Sequence, residues 1–188
     1  MPDILKREVV YKGYRTIEMV TARLADGSLL EREVQTHGHA VAVLPYDPER
    51  KVGLVIRQFR MAVKVASGLD ALLEAAAGMI DRGESADAAA RREAMEETGL
   101  QLRTLDLVAT AWPSCGVSTE TMALYLAEYS AADRIAPGGG LATEQEDITV
   151  VETPLADLVD LGADGEVVDL KLLALVQTLR LRRPDLFV

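Results

Sequence analysis

Aromatic side chains are scarce. Phe, Tyr and Trp make up 4% of the 188 residues, so the core must be built from Leu, Val, Ala and Ile. Cysteine occurs once, at Cys115, which excludes an internal disulfide and fits a reducing cytoplasm. The two histidines, His37 and His39, flank Gly38 with no third ligand nearby, which reads as a strand start rather than a metal site. No apolar run approaches the roughly 20 residues of a membrane span. The N-terminus, MPDILKREVVYKGY, carries charges where a signal peptide needs an apolar stretch. Positive charge is also in short supply: 20 Lys and Arg face 30 Asp and Glu, for a net charge of −10 and a pI near 4.7. That balance argues against a nucleic acid or an anionic membrane as partner.

What is present is a dense charged segment, GMIDRGESADAAARREAMEETGL, from Gly78 to Leu100. At about 100° per helical residue, Glu93, Glu96 and Glu97 fall within roughly 100° of one another on one face. Like charges at these spacings weaken a bare helix. Hard oxygen donors on one compact face suit Mg²⁺ or Mn²⁺. Arg92 lies four residues before Glu96, where it can orient that carboxylate. Glu84 either binds metal through water or caps the helix start.

Around this segment the pattern alternates between strand and helix. Residues 5–36 read as two or three strands with a turn at Asp26-Gly27. Residues 39–46 and 51–59 read as a hairpin about Asp47-Pro48-Glu49-Arg50. Residues 67–70 form a loop, and LLEAAAGMI a strand running into the charged segment. A helix follows, started at Gly83 or Ser85 and ended by Gly99 in the left-handed region. Strands are expected at 104–112, 121–129 and in ITVVETP. A short helix at PLADLVDL and a longer one over 168–183 complete the chain. The run Gly138-Gly139-Gly140 marks a flexible loop or an insertion within 130–147. This order fits an α/β/α sandwich around a mixed sheet. Trp112 is expected in the core, and Cys115 as a small packed residue.

The charged segment resembles the Nudix signature at every position: Gly78, Glu84, Arg92-Glu93-Ala94, Glu96-Glu97, Gly99-Leu100. Further runs, VIRQFRMAV, EAAAGMID, WPSCGVSTE, EYSAADRIAPGGG and EQEDITVVE, are similar to the nucleoside-diphosphate-sugar pyrophosphatases of that family, from about residue 38 to 182. The resemblance implies a Nudix α/β/α domain over 38–188 and an extra N-terminal β arm over 1–37 that builds a homodimer. It implies a metal-dependent hydrolase that splits the pyrophosphate of ADP-ribose or GDP-mannose into a nucleoside monophosphate and a sugar phosphate. The other function class is a silent Nudix domain that senses a nucleotide. Silent versions generally lose signature glutamates, and all four are intact here.

Such a reaction needs cations to offset the two charges of the linkage and to lower the pKa of a bound water. Glu93 and Glu97 can hold metal from one helix face, and Glu96 can bridge or take a second ion. By resemblance the Ala77 carbonyl is a further ligand, Glu144 the general base and Glu146 another metal ligand. Arg57 and Arg60 are candidates for phosphate. Alternation puts them on opposite faces of a strand, so only one need face the site, and the resemblance favours Arg60. Glu74 occupies a position where related enzymes contact substrate. The glycine run lacks the Lys-Ser/Thr and helix of a P-loop, and the resemblance makes it a mobile flap.

Overall fold

The computed structural model describes residues 1–141, 143, 146–161, 166 and 168–188. The chain divides into two compact units, one of residues 1–39 and 111–122, the other of 40–110 and 123–188.

The first unit is an antiparallel sheet of β1 (Asp3–Lys12), β2 (Thr16–Arg23) and β3 (Leu29–Thr36) in that order. Asp26 sets the β2–β3 turn, its carboxylate accepting from the Ser28 N–H at 2.9 Å. Glu18 is the buried charge of this sheet. It is paired with Arg7 and accepts from the Thr36 hydroxyl at 2.6 Å. Residues 111–122 belong here rather than with the second unit, because Gln35 donates to the Val117 carbonyl (2.7 Å) and accepts from the Thr119 N–H (3.0 Å). Trp112 is 59% exposed and Cys115 is also exposed, so neither packs as expected. Their segment adds backbone hydrogen bonds to a small sheet and has no core of its own to enter. His39 Nδ1 lies 2.7 Å from the Thr121 hydroxyl, a local tether rather than a metal ligand.

In the second unit, β4 (Ala40–Asp47) and β5 (Val52–Phe59) form the expected hairpin, but only two residue pairs, Tyr46–Gly53 and Asp47–Val52, join them. Asp47 holds the turn, accepting from the N–H groups of Glu49 (2.9 Å) and Arg50 (3.0 Å). Beyond it the strands splay. β6 (Ala71–Glu74) pairs with β5, and β7 (Ala76–Met79) pairs with β4. The single strand expected from LLEAAAGMI is thus broken at Ala75, each half claiming one side of the opened hairpin. β8 (Asp106–Ala111), β9 (Met122–Glu128) and β10 (Ile148–Pro154) complete the order β10-β5-β4-β9-β8.

Helix α1 (Met61–Ser67), which the sequence reading did not contain, buries none of its residues. With no apolar stripe turned inward, it offers no periodic signal. Helices α2 (Ala86–Glu93) and α4 (Leu170–Arg182) both pack on β4, and α3 (Leu155–Leu158) packs on β10. Val41 and Val43 of β4 join Leu54, Tyr125, Leu100 and the small face Ala89, Ala90, Ala94 in one cluster. Alanines on that face let the signature helix lie close to the sheet, which sets the depth of its glutamates. The α/β/α sandwich around a mixed sheet is therefore present.

Candidate active site

Ser85 caps α2, its hydroxyl accepting from the Ala88 N–H at 3.2 Å. After Glu93 the backbone widens into a π turn over Ala94–Thr98, and Gly99 (φ 75°) ends it. A regular α-helix was expected throughout. π turns are rare and cluster at functional sites. Glu93 and Glu97 bracket this one.

Arg92 organises the signature. Its guanidinium donates to Glu84 through Nε (3.1 Å) and Nη2 (3.0 Å), and to the Met79 carbonyl through Nη2 (2.9 Å). Nη1 donates to Glu93 (2.8 Å) and Glu96 (3.1 Å). A guanidinium has five N–H donors, and all five are engaged. Arg92 therefore orients three carboxylates and has no donor left for a ligand. Glu84 also accepts from the Asp81 N–H at 3.1 Å, which fits a helix-start role.

Glu97 is 1% exposed, and its Oε2 accepts from the Ala77 N–H at 2.9 Å. Burial, reinforced by the fields of Glu93 and Glu146, pushes its carboxyl up to about 8 despite that bond. Burial likewise raises Glu93, outweighing Arg92. Gly78 makes the crowding possible: a Cβ there would stand 1.9 Å from Glu93 Oε1. Among the described residues, no three His, Cys, Asp or Glu side chains already stand at metal-ligand spacing. The donor set still fits a hard cation. Burial raises the proton affinity of both carboxylates, and neither Glu93 Oε2 nor Glu97 Oε1 has a hydrogen-bond partner among the described residues.

The glycine run is pinned rather than free. Gly139 donates to the Glu97 carbonyl (2.9 Å) and Gly140 to the Glu96 carbonyl (3.0 Å), so the run satisfies carbonyls at the end of the signature helix. All three glycines have φ between 72° and 111°, and a Cβ on Gly138 would meet the Glu97 carbonyl oxygen at 2.4 Å. The expected mobile flap is thus anchored at its glycines. Glu146 accepts from the Leu141 N–H at 2.9 Å, close enough for its charge to act on Glu93 and Glu97. Glu144 lies outside the described residues.

Arg60 directly follows β5 and pairs side-on with Glu74, Nε to Oε1 at 2.8 Å and Nη2 to Oε2 at 3.1 Å. Glu74 is 3% exposed, so it is a buried carboxylate and not a surface one. Arg57 is turned to the other face of β5. It is exposed and lines a cavity of about 470 Å³ with Leu69, Leu73, Leu161 and Val168, away from the signature carboxylates. Sequence reasoning missed two side chains. Gln58, an inward position of β5, is 8% exposed, and its Oε1 has no partner among the described residues. Its strand parity was the available signal. Lys171, at the start of α4, reaches Glu74 across 97 residues, and no spacing could have announced that.

The family model for the NUDIX domain matches residues 36–177. A GDP-mannose pyrophosphatase of Cronobacter sakazakii is 36% identical over 185 residues, 96% of this chain and 95% of the relative. That of Klebsiella pneumoniae is 34% identical over 94% of this chain and 90% of its own. A solved structure described as an ADP compounds hydrolase superposes with a TM-score of 0.80 over 98% of this chain and 95% of that one; at 24% identity it shows the fold alone. With an unbroken signature on an Arg92-braced helix and relatives matched along nearly their whole length, the chain belongs to the Nudix family.

Proposed function

We propose that this protein is a metal-dependent pyrophosphohydrolase of nucleoside diphosphate sugars, releasing a nucleoside monophosphate and a sugar phosphate. The observation that carries this reading is the buried Glu93–Glu97 pair in an intact signature, in a chain that matches GDP-mannose pyrophosphatases almost end to end. A silent sensor would have no need of two carboxylates whose pKa burial raises.

Glu93, Glu97, Glu146 and the Ala77 carbonyl would hold Mg²⁺ or Mn²⁺, with Glu96 available for a second ion. Such a cation offsets pyrophosphate charge and lowers the pKa of a bound water. Arg92 fixes the carboxylates. Arg60 presents the N–H groups it does not use on Glu74 to a phosphate oxygen. The resemblance assigns Glu144 as the base that takes a proton from the attacking water. Arg57, on the opposite face, receives no part.

Between the two sugars, the names of the relatives favour GDP-mannose. A panel of GDP-mannose, ADP-ribose and other nucleotide sugars with Mg²⁺, read as phosphate released after phosphatase treatment, should give GDP-mannose the highest kcat/KM. Turnover of none of them would overturn the proposal.

We further propose a homodimer built on the N-terminal strands. Every residue of β1 is exposed, among them Ile4, Leu5, Val9, Val10 and Tyr11. Contiguous apolar exposure of this kind marks an interface, and an open strand edge invites pairing. Light scattering at micromolar protein should give twice the chain mass; an active monomer would refute the dimer. No described helix is long and apolar enough to cross a membrane. The single cysteine supports a cytoplasmic setting, and a charge of −10 disfavours nucleic acid and anionic membranes.

A further inference from the structure

Two of the signature glutamates sit where a helix welcomes carboxylates least. Glu96 and Glu97 belong to the last turn before Gly99, where carbonyls lack helical partners and the macrodipole is negative. A strap of backbone over residues 133–140 supplies the missing donors. Ile135 donates to the Gly99 carbonyl at 2.9 Å, Gly139 to that of Glu97 at 2.9 Å and Gly140 to that of Glu96 at 3.0 Å. Gln101 donates back to the Asp133 carbonyl at 2.8 Å, which ties the far end. At its near end the strap meets Glu146. The Leu141 N–H donates to Glu146 Oε2 at 2.9 Å, and the Glu146 N–H donates to the Leu141 carbonyl at 3.3 Å. The other oxygen of that carboxylate, Oε1, has no hydrogen-bond partner among the described residues.

We infer that Gly140 is a positioning residue for the metal centre: its N–H holds the end of the signature helix, and its missing side chain leaves the Glu146 carboxylate the place it occupies. This rests on the reading of Glu93, Glu97 and Glu146 as metal ligands given above. Gly140 has φ 78°, and a Cβ on it would stand 2.5 Å from Glu146 Oε2, 2.8 Å from Glu146 Cβ and 2.9 Å from Ile148 Cδ1. A side chain at 140 therefore swings Glu146 away from the Leu141 N–H that orients it. Gly139 also has a positive φ, 111°, but a Cβ there would meet nothing nearer than the Ile148 carbonyl oxygen at 3.7 Å. The two neighbours make different demands: position 139 needs only the left-handed backbone, whereas position 140 needs that backbone and the empty space. The charge of Glu146 acts on both Glu93 and Glu97, so displacing it alters the field that a cation meets. One short segment thus sets the spacing between donors on the helix and a donor far along the chain, which is the support that a ligand set requires.

The test is binding of Mn²⁺ alone to the metal-free protein, read as free Mn²⁺ by electron paramagnetic resonance, with a thermal melt of each variant. Gly140→Ala should raise the Mn²⁺ Kd about 10–100-fold, the usual cost of disturbing a group that orients a ligand. Gly139→Ala carries the same kind of backbone strain without the contact, so it should lower Tm and leave Kd within about threefold. Glu146→Gln should itself raise Kd, and adding Gly140→Ala to it should raise Kd no further, since Gly140 acts through Glu146. If Gly140→Ala loses its cooperative melt, Gly140→Asn replaces it under the same expectations, because asparagine takes a left-handed φ more readily and still carries a Cβ. Wild-type Kd in the Gly140 variant, equal losses at 139 and 140, or multiplying effects in the double variant would overturn the role of Gly140. Wild-type Kd in Glu146→Gln would instead sink the reading of Glu146 as a ligand, and the role of Gly140 with it.

Discussion

Replacing Glu97 by glutamine will cut kcat by several orders of magnitude and will flatten the pH dependence of stability of the metal-free protein. The first effect follows if this carboxylate holds an essential cation. The second follows from its surroundings. Burial pushes its carboxyl up to about 8 in the folded state, from an ordinary value of 4.5. The protonated acid is the form the fold favours. That contribution is fully present below about pH 4.5 and is lost as pH rises through 8. The slope is at most about 1.4 kcal/mol per pH unit. In chelator, wild-type Tm should therefore fall between pH 5 and pH 8, and Glu97→Gln should fall much less. Glu144→Gln offers the contrast: a general base is worth about 10²–10⁴ in rate, so kcat should drop by that order while Mg²⁺ titrations stay unchanged. Near-wild-type kcat in both Glu97→Gln and Glu93→Gln would move the site elsewhere.

Chelation by EDTA will abolish turnover, and Mg²⁺ or Mn²⁺ will restore it. Full activity in chelator would refute the metal reading. The same cation should stabilise the fold. At a free concentration about a hundredfold above its Kd, a ligand of the native state adds about 2.7 kcal/mol. Carboxylates must be ionised to bind it, so the gain in Tm on adding Mg²⁺ should be larger at pH 8 than at pH 5.5. An equal gain at both values would mean that Glu97 and Glu93 are not the groups involved.

Much of the site could be read in the sequence because the relevant order is local. Gly78 to Leu100 is one loop and one helix, so spacing alone puts Arg92, Glu93, Glu96 and Glu97 together. Ser85 and Gly99 mark its ends by residue type. The outer strands were legible too, since period-2 patterns are short-range. What escaped depends on contacts between distant segments. The π turn, the break at Ala75, the pinning of Gly139 and Gly140 on the Glu96 and Glu97 carbonyls, and Lys171 against Glu74 are all set by what packs next to them. The sequence offers Trp112 either a core position or a base to stack on, with the core favoured. It belongs instead to a segment whose neighbours are backbone groups of β3.

The splayed β4–β5 hairpin has a consequence for the order of folding. Two residue pairs make a poor local nucleus: β5 pairs along Val52–Gln58 with β10, and beyond the two pairs β4 and β5 pair with residues 71–79. A chain emerging from the ribosome cannot complete this region until that stretch is available, and it immediately precedes the signature helix. Closure of the central sheet also needs β9 and β10, which follow the signature helix in the chain. Such delayed pairing slows folding relative to a simple hairpin.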